Sequence, residues 1–124
     1  MALTSIALVD DEAPVRAALG RLLRLSDYDV LAFSSGEEFL QSLASRVPDC
    51  ALLDVHMPGL TGLEVQARLR AAGLTIPIVF ITASDDAEIA RSALAAGGLC
   101  VLQKPFSNEA LLQAVNGALD SRPG

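Results

Sequence analysis

The sequence predicts an α/β fold in which a parallel sheet is covered by helices on both faces. Strand and helix signals alternate five times along the chain, the order expected of a parallel sheet. The strand segments are near-continuous apolar runs, as strands buried on both faces require. Several runs also stop abruptly at a polar residue. That places polar groups at the carboxyl edge of the sheet, where open α/β folds keep their sites.

Each element has its own signal. The first strand covers about 5–10. The first helix begins near Pro14, a residue favoured at the first helical position, and Val15, Leu19, Leu22 and Leu23 form its apolar stripe. Arg16 and Arg24 read as its solvated face. The second strand covers about 28–33. Ser35-Gly36-Glu37-Glu38 is a capping-box pattern that opens helix 2, with Phe39, Leu40 and Leu43 turned inward. The third strand covers about 49–54. After the Pro58-Gly59 and Gly62 loop, helix 3 runs to about Ala72 and stops at Gly73. The fourth strand covers about 76–81, with Pro77 at its start. Helix 4, about 86–96, ends at Gly97-Gly98. Its stripe of Ile89, Ala90, Ala93 and Leu94 is the weakest, so it is expected to be the least firmly held. The fifth strand covers about 99–103. Ser107 caps helix 5, whose stripe is Leu111, Leu112, Val115 and Leu119.

Composition narrows the function. The chain has 124 residues, the size of one domain, and only five aromatics, so its core is aliphatic. A net charge of −6 argues against nonspecific binding to nucleic acid or membrane surfaces. No signal peptide or membrane span is evident, and the cytoplasm is the expected location. Cys50 and Cys100 stand alone in apolar runs and read as small core residues, not a disulfide or metal pair. Residues 1–120 read as one domain and 121–124 as a terminus or the start of a linker.

The polar residues at the strand ends form a set. Ile6-Ala7-Leu8-Val9 ends in Asp10-Asp11, and Cys50-Ala51-Leu52-Leu53 ends in Asp54. Thr82 closes Ile78-Val79-Phe80-Ile81, and Lys104 closes Leu99-Cys100-Val101-Leu102-Gln103. At about 5 Å and an effective dielectric of about 20, each carboxylate pair costs roughly 3 kcal/mol, so a divalent cation would suit the cluster. Three carboxylates, a hydroxyl and a lysine are the chemistry of a phosphoryl site with a carboxylate nucleophile. Taken singly, the same residues have plainer readings. Asp10 and Asp11 would be charges at a helix start, Asp54 a turn aspartate, Thr82 a helix cap and Lys104 a counter-ion. Glu12, Asp85 and Asp86 read as solvated or capping charges.

Val9-Asp10-Asp11-Glu12, Asp54-Val55-His56-Met57-Pro58-Gly59, Ile81-Thr82-Ala83 and Lys104-Pro105-Phe106 together resemble the receiver domain of two-component response regulators. The resemblance runs over essentially the whole chain and is nearest to the FixJ-like branch. It implies a flavodoxin-like sheet of order 2-1-3-4-5, which brings Asp10, Asp11 and Asp54 together. It implies that Asp54 accepts a phosphoryl group from a sensor histidine kinase or phosphotransfer protein. Mg²⁺ would be bound by Asp10, Asp11, Asp54 and the backbone carbonyl of His56, with Asp11 the first choice for direct contact. Asp54 is expected to be ionised near neutral pH. Thr82 and Lys104 would contact the phosphoryl group, and Lys104-Pro105 would be cis. Helix 1 would dock the kinase. Helix 4, strand 5 and helix 5 would form a phosphorylation-promoted homodimer or release a DNA-binding output domain that these residues do not include. The domain is then a signalling switch, not an enzyme with a separate substrate. It catalyses only its own phosphoryl transfer and autodephosphorylation.

Two places depart from the family or tune it. Val101 stands three residues before the lysine, where the family carries Tyr or Phe. His56 and Ser84 flank the phosphoryl entrance and are expected to set its lifetime, although His56 has an equal claim to be a plain loop residue. The rival functions fit less well. An FMN-binding domain would place Gly, Ser and Thr where this chain has Asp10-Asp11-Glu12. A haloacid-dehalogenase-like phosphatase would place an acid where His56 stands. A receiver-like domain that binds partners without phosphorylation would have no use for the acidic set, although Val101 keeps that alternative open.

Overall fold

The computed structural model describes residues 3–83, 87–95, 97–98 and 100–121. Its elements are β1 (Ser5–Val9), α1 (Ala13–Leu25), β2 (Asp29–Phe33), α2 (Gly36–Ser42), β3 (Cys50–Asp54), α3 (Gly62–Ala71), β4 (Ile78–Thr82), α4 (Ala87–Ala95), β5 (Cys100–Gln103) and α5 (Asn108–Asp120). All strand pairs are parallel and the order is β2-β1-β3-β4-β5. The order reverses between β1 and β3, which is the switch point where such folds open a crevice.

Strand alternation divides the core in two. Ala7, Val9, Ala51, Leu53, Ile78 and Phe80 face Phe39, Val65, Leu69 and Ala93 of α2, α3 and α4. Ile6, Leu8, Cys50, Leu52, Val79 and Ile81 face Leu23, Leu111, Val115 and Ala118 of α1 and α5. β1, β3 and β4 are buried along their whole length. Their unbroken apolar sequence therefore serves both layers, at about 25 cal/mol per Å² of apolar surface removed from water. Helix α4 is the thinly anchored one: among its described side chains only Ala93 is fully buried, and Leu94 is half exposed. No helix among the described residues is long and apolar enough to cross a membrane.

Three local readings are refined. β4 begins at Ile78, after Pro77, whose ring has no N–H to offer the ladder although its carbonyl accepts from Ala51. Ser35 caps α2 through its side chain, which accepts from the Glu38 N–H. Glu38 does not complete the box; it turns to the Ser34 N–H and hydroxyl. A complete capping box does occur at α3, where Thr61 and Glu64 satisfy each other's backbone amides.

The end of α1 carries a residue in the left-handed region. Asp27 has φ 68°, and its N–H donates to the Arg24 carbonyl while Tyr28 donates to Leu23. This is a Schellman closure, whose left-handed position favours glycine because a Cβ crowds the backbone there. Asp27→Gly is expected to stabilise the fold by about 0.5–1 kcal/mol, read as a higher urea midpoint.

The start of α3 crosses directly behind β3. A Cβ on Gly62 would lie 2.5 Å from the Asp54 carbonyl oxygen, a backbone atom with no room to yield. Gly62→Ala is expected to cost more than about 2 kcal/mol by chemical denaturation.

Candidate functional site

The β1–β3 register carries the site. Val9 pairs with Leu53, so one further step along both strands sets Asp10 beside Asp54. Both are buried, at 0% and 4% exposure. Asp10 is held from several sides. Its N–H donates to the Phe33 carbonyl at 3.2 Å, and its Oδ1 accepts the Glu12 N–H at 2.9 Å. Its Oδ2 accepts from Lys104 Nζ at 3.2 Å. Asp54 Oδ1 accepts the His56 N–H at 3.1 Å, and its Oδ2 lies 3.7 Å from Lys104 Nζ.

Lys104 reaches these acids from the end of β5. Its N–H donates to the Thr82 carbonyl at 2.7 Å, and its peptide bond to Pro105 is cis. Nζ also meets Glu12 Oε1 at 3.4 Å. Thr82, the last residue of β4, is buried at the same edge. Asp10, Glu12 and Asp54 each offer an oxygen within 4.8 Å of the others. Three converging carboxylates faced by one ammonium leave an excess of negative charge on hard oxygen donors, a set that fits a hard divalent cation such as Mg²⁺.

The electrostatics follow from burial. Asp54 is pushed up to about 6, first by burial and then by the neighbouring Asp10 charge. Lys104 and the His56 N–H pull it back without reversing that result, and the Asp11 charge adds to it. Asp54 thus still ionises near neutral pH, as expected from the sequence, but from well above the ordinary carboxylate range in the metal-free protein, because desolvation outweighs the single nearby cation. Burial alone would pull Lys104 down. Its hydrogen bond to Asp10 and the charges of Asp54 and Asp10 outweigh that and hold it above its ordinary value.

The structure brings Asp10, Asp54, Thr82 and Lys104 to one edge. It leaves Asp11 exposed and outside the converging carboxylates, and it leaves His56 exposed with its amide on Asp54. Glu12, read from sequence as a solvated charge, belongs to the group. It occupies the N-cap position of α1, makes no side-chain cap there and turns to Lys104. Arg16, read as part of a solvated face, donates from Nη1 to the Asp10 carbonyl at 2.7 Å. Glu37 of α2 accepts the Leu60 N–H at 3.3 Å and so ties down the loop after Asp54. The three-acid run at a strand end was the available signal for Glu12. Arg16 bonds a main-chain carbonyl six residues back and Glu37 an amide 23 residues on, and neither leaves a sequence pattern. Ser84, Asp85 and Asp86 lie outside the described residues. Val101 is half-buried and packs on the α2–α4 side of the sheet.

Known proteins share the sequence and the fold of this chain. A family model described as the response regulator receiver domain matches residues 6–116. The transcriptional regulatory protein TdiR of Thauera aromatica is 40% identical over 116 residues, which cover 94% of this chain and 51% of TdiR. Nodulation protein W of Bradyrhizobium diazoefficiens is 38% identical, covering 93% and 51% respectively. The chain spans about half the length of the curated relatives it matches. The crystal structure of FixJ-N superposes with a TM-score of 0.92 at 28% identity, covering 100% of this chain and 99% of that one. A response regulator receiver protein from Burkholderia phymatum is 44% identical with a TM-score of 0.83, covering 94% of each chain.

The raised Asp54 pKa has a signed consequence for stability. The folded protein holds that proton more tightly than the unfolded chain, so stability falls as pH rises from about 3.8 to about 6 and is flat above. Asp54→Asn is therefore expected to be more stable than wild type by roughly 1–2 kcal/mol above about pH 6, allowing for solvent screening. The gap should close below about pH 4. Urea titrations of the metal-free protein across this range measure it.

Proposed function

The chain belongs to the response regulator receiver domain family, and on that premise we propose that Asp54 is its phosphoryl acceptor in two-component signalling. The observation that carries the reading is the position of Asp54, buried at the end of β3 between Asp10 and Lys104. A phosphohistidine on a sensor kinase or phosphotransfer protein is the natural donor. Its P–N bond breaks, the electron pair returns to the imidazole nitrogen, and a P–O bond forms to the Asp54 carboxylate. Lys104 then exchanges a carboxylate partner for a phosphoryl oxygen, and the Thr82 hydroxyl donates to another.

Asp10 and Asp54 of the converging set, with Asp11 turning in from its exposed position and the His56 carbonyl, are the residues we assign to Mg²⁺, whose bound charge would offset that of the incoming phosphoryl group. Glu12 serves the pocket by holding Lys104 from the outer side. The domain catalyses its own phosphorylation and hydrolysis, and His56 borders the path of the attacking water.

A kinase would dock on α1. Beside it lies an apolar hollow of about 360 Å³, lined by Pro14, Val15, Ala18, Leu19, Pro105 and Phe106, with Lys104 at its edge. Residues 1–120 would form the receiver, with 121–124 leading toward an output domain. Since relatives of about twice this length include a named transcriptional regulator, the output is transcription, and DNA would be met only by that further domain. α4, β5 and α5 would form the phosphorylation-promoted dimer face. The setting is the cytoplasm, with no membrane contact.

Incubation with acetyl phosphate and Mg²⁺, followed by intact mass measurement, tests the core of this reading. Wild type is expected to gain one phosphoryl group and Asp54→Ala none. Absence of an adduct on wild type under any condition overturns it.

A further inference from the structure

Arg16 is the cation of this edge that the phosphoryl chemistry leaves without a task. It is half-buried on α1, and its Nη1 donates to the Asp10 carbonyl at 2.7 Å. That carbonyl lies just past the end of β1. The other polar atoms of Asp10 are already committed: N–H to Phe33, Oδ1 to the Glu12 amide and Oδ2 to Lys104. A buried carbonyl left unpaired is costly, so the peptide after Asp10 would rotate to seek another donor if Arg16 were removed. Rotation there would redirect both the carboxylate of Asp10 and the run Asp11-Glu12.

We infer that Arg16 is a positioning residue for the acidic pocket, acting through the Asp10 peptide to fix the direction in which the acids of the β1–α1 turn meet a cation. The inference rests on the reading of the pocket as a Mg²⁺ site. Its sign separates it from a simple charge effect. A guanidinium acting only by charge repels a cation, so its removal would tighten Mg²⁺ binding. A guanidinium acting as a brace weakens Mg²⁺ binding when removed, as loss of groups that orient metal ligands does.

Titration calorimetry of Mg²⁺ alone into the metal-free full chain tests it, with thermal denaturation of each variant alongside. Arg16→Ala is expected to raise the Mg²⁺ Kd about tenfold. Arg16→Lys, which keeps a donor on a shorter head, should recover at least half of that loss on a logarithmic scale. Should Arg16→Ala fail to fold, Arg16→Met keeps the apolar stem and is read in the same way. An Arg16→Ala Kd within twofold of wild type, or tighter, overturns the inference whatever the melting temperature. No Mg²⁺ binding by wild type would instead overturn the metal reading on which it rests.

Discussion

Two buried carboxylates on neighbouring strands share one ammonium, and most of the upper edge of the sheet is arranged around that shortage. Asp10 and Asp54 are adjacent because β1 pairs with β3 in the register Val9 to Leu53. Lys104 touches both and Glu12 as well. At about 5 Å and an effective dielectric near 20, each repulsive pair costs roughly 3 kcal/mol, and one lysine cannot cancel three acids. Asp54 is held up to about 6, first by burial and then by the Asp10 charge, despite its contact with Lys104. A site in this condition gains from whatever brings positive charge or removes negative charge. That is why it suits a divalent cation, whose charge would also offset that of an acyl phosphate formed at Asp54.

Such repulsion persists only on a scaffold that does not relax away from it. The strands beneath are fully buried aliphatic runs packed on both faces. Movement of β1 or β3 would open cavities in two layers at once, at a few kcal/mol for each displaced large side chain. The loop after Asp54 is restrained as well. Gly62 packs against the Asp54 carbonyl, Val55 donates to Ile81, and Glu37 holds the Leu60 amide. The acids are therefore strained against each other by an edge whose main chain is pinned on all sides, which is how a preorganised site differs from a loose acidic patch.

The fold was legible because parallel strands buried on both faces leave little freedom in composition. Runs such as Ile6–Val9 and Ile78–Ile81 fit few other settings. The residues that end those runs were legible for the same reason, since a polar residue at the end of a buried strand has one edge to occupy. What escaped were contacts made across the chain by side chains that look ordinary in sequence. Arg16 sits where a solvated helix face would place it, Glu12 where a cap would, and neither spacing reveals a partner about ninety residues away or a carbonyl just past the end of β1. The Ser35 box failed for a local reason: Ser34 offers both an amide and a hydroxyl to Glu38, and two donors outweigh one.

How a signal would leave this edge turns on Val101. It stands beside Phe80 in the β4–β5 register and packs with Phe80, Ile89 and Ala93 on the α4 side. The bulk beside α4 is thus supplied by β4: a Cβ on Gly98 would lie 2.5 Å from the Phe80 ring. Valine is too short to swing between two pockets as an aromatic at that place would, and Phe80 is fully buried in the core. On our reading the moving part is therefore Thr82 together with α4. That helix has one fully buried described side chain and a half-exposed Leu94, so a shift at its start would disrupt less packing than at any helix with a full apolar stripe. Phosphorylation at Asp54 would then be read through α4 rather than through an aromatic on β5.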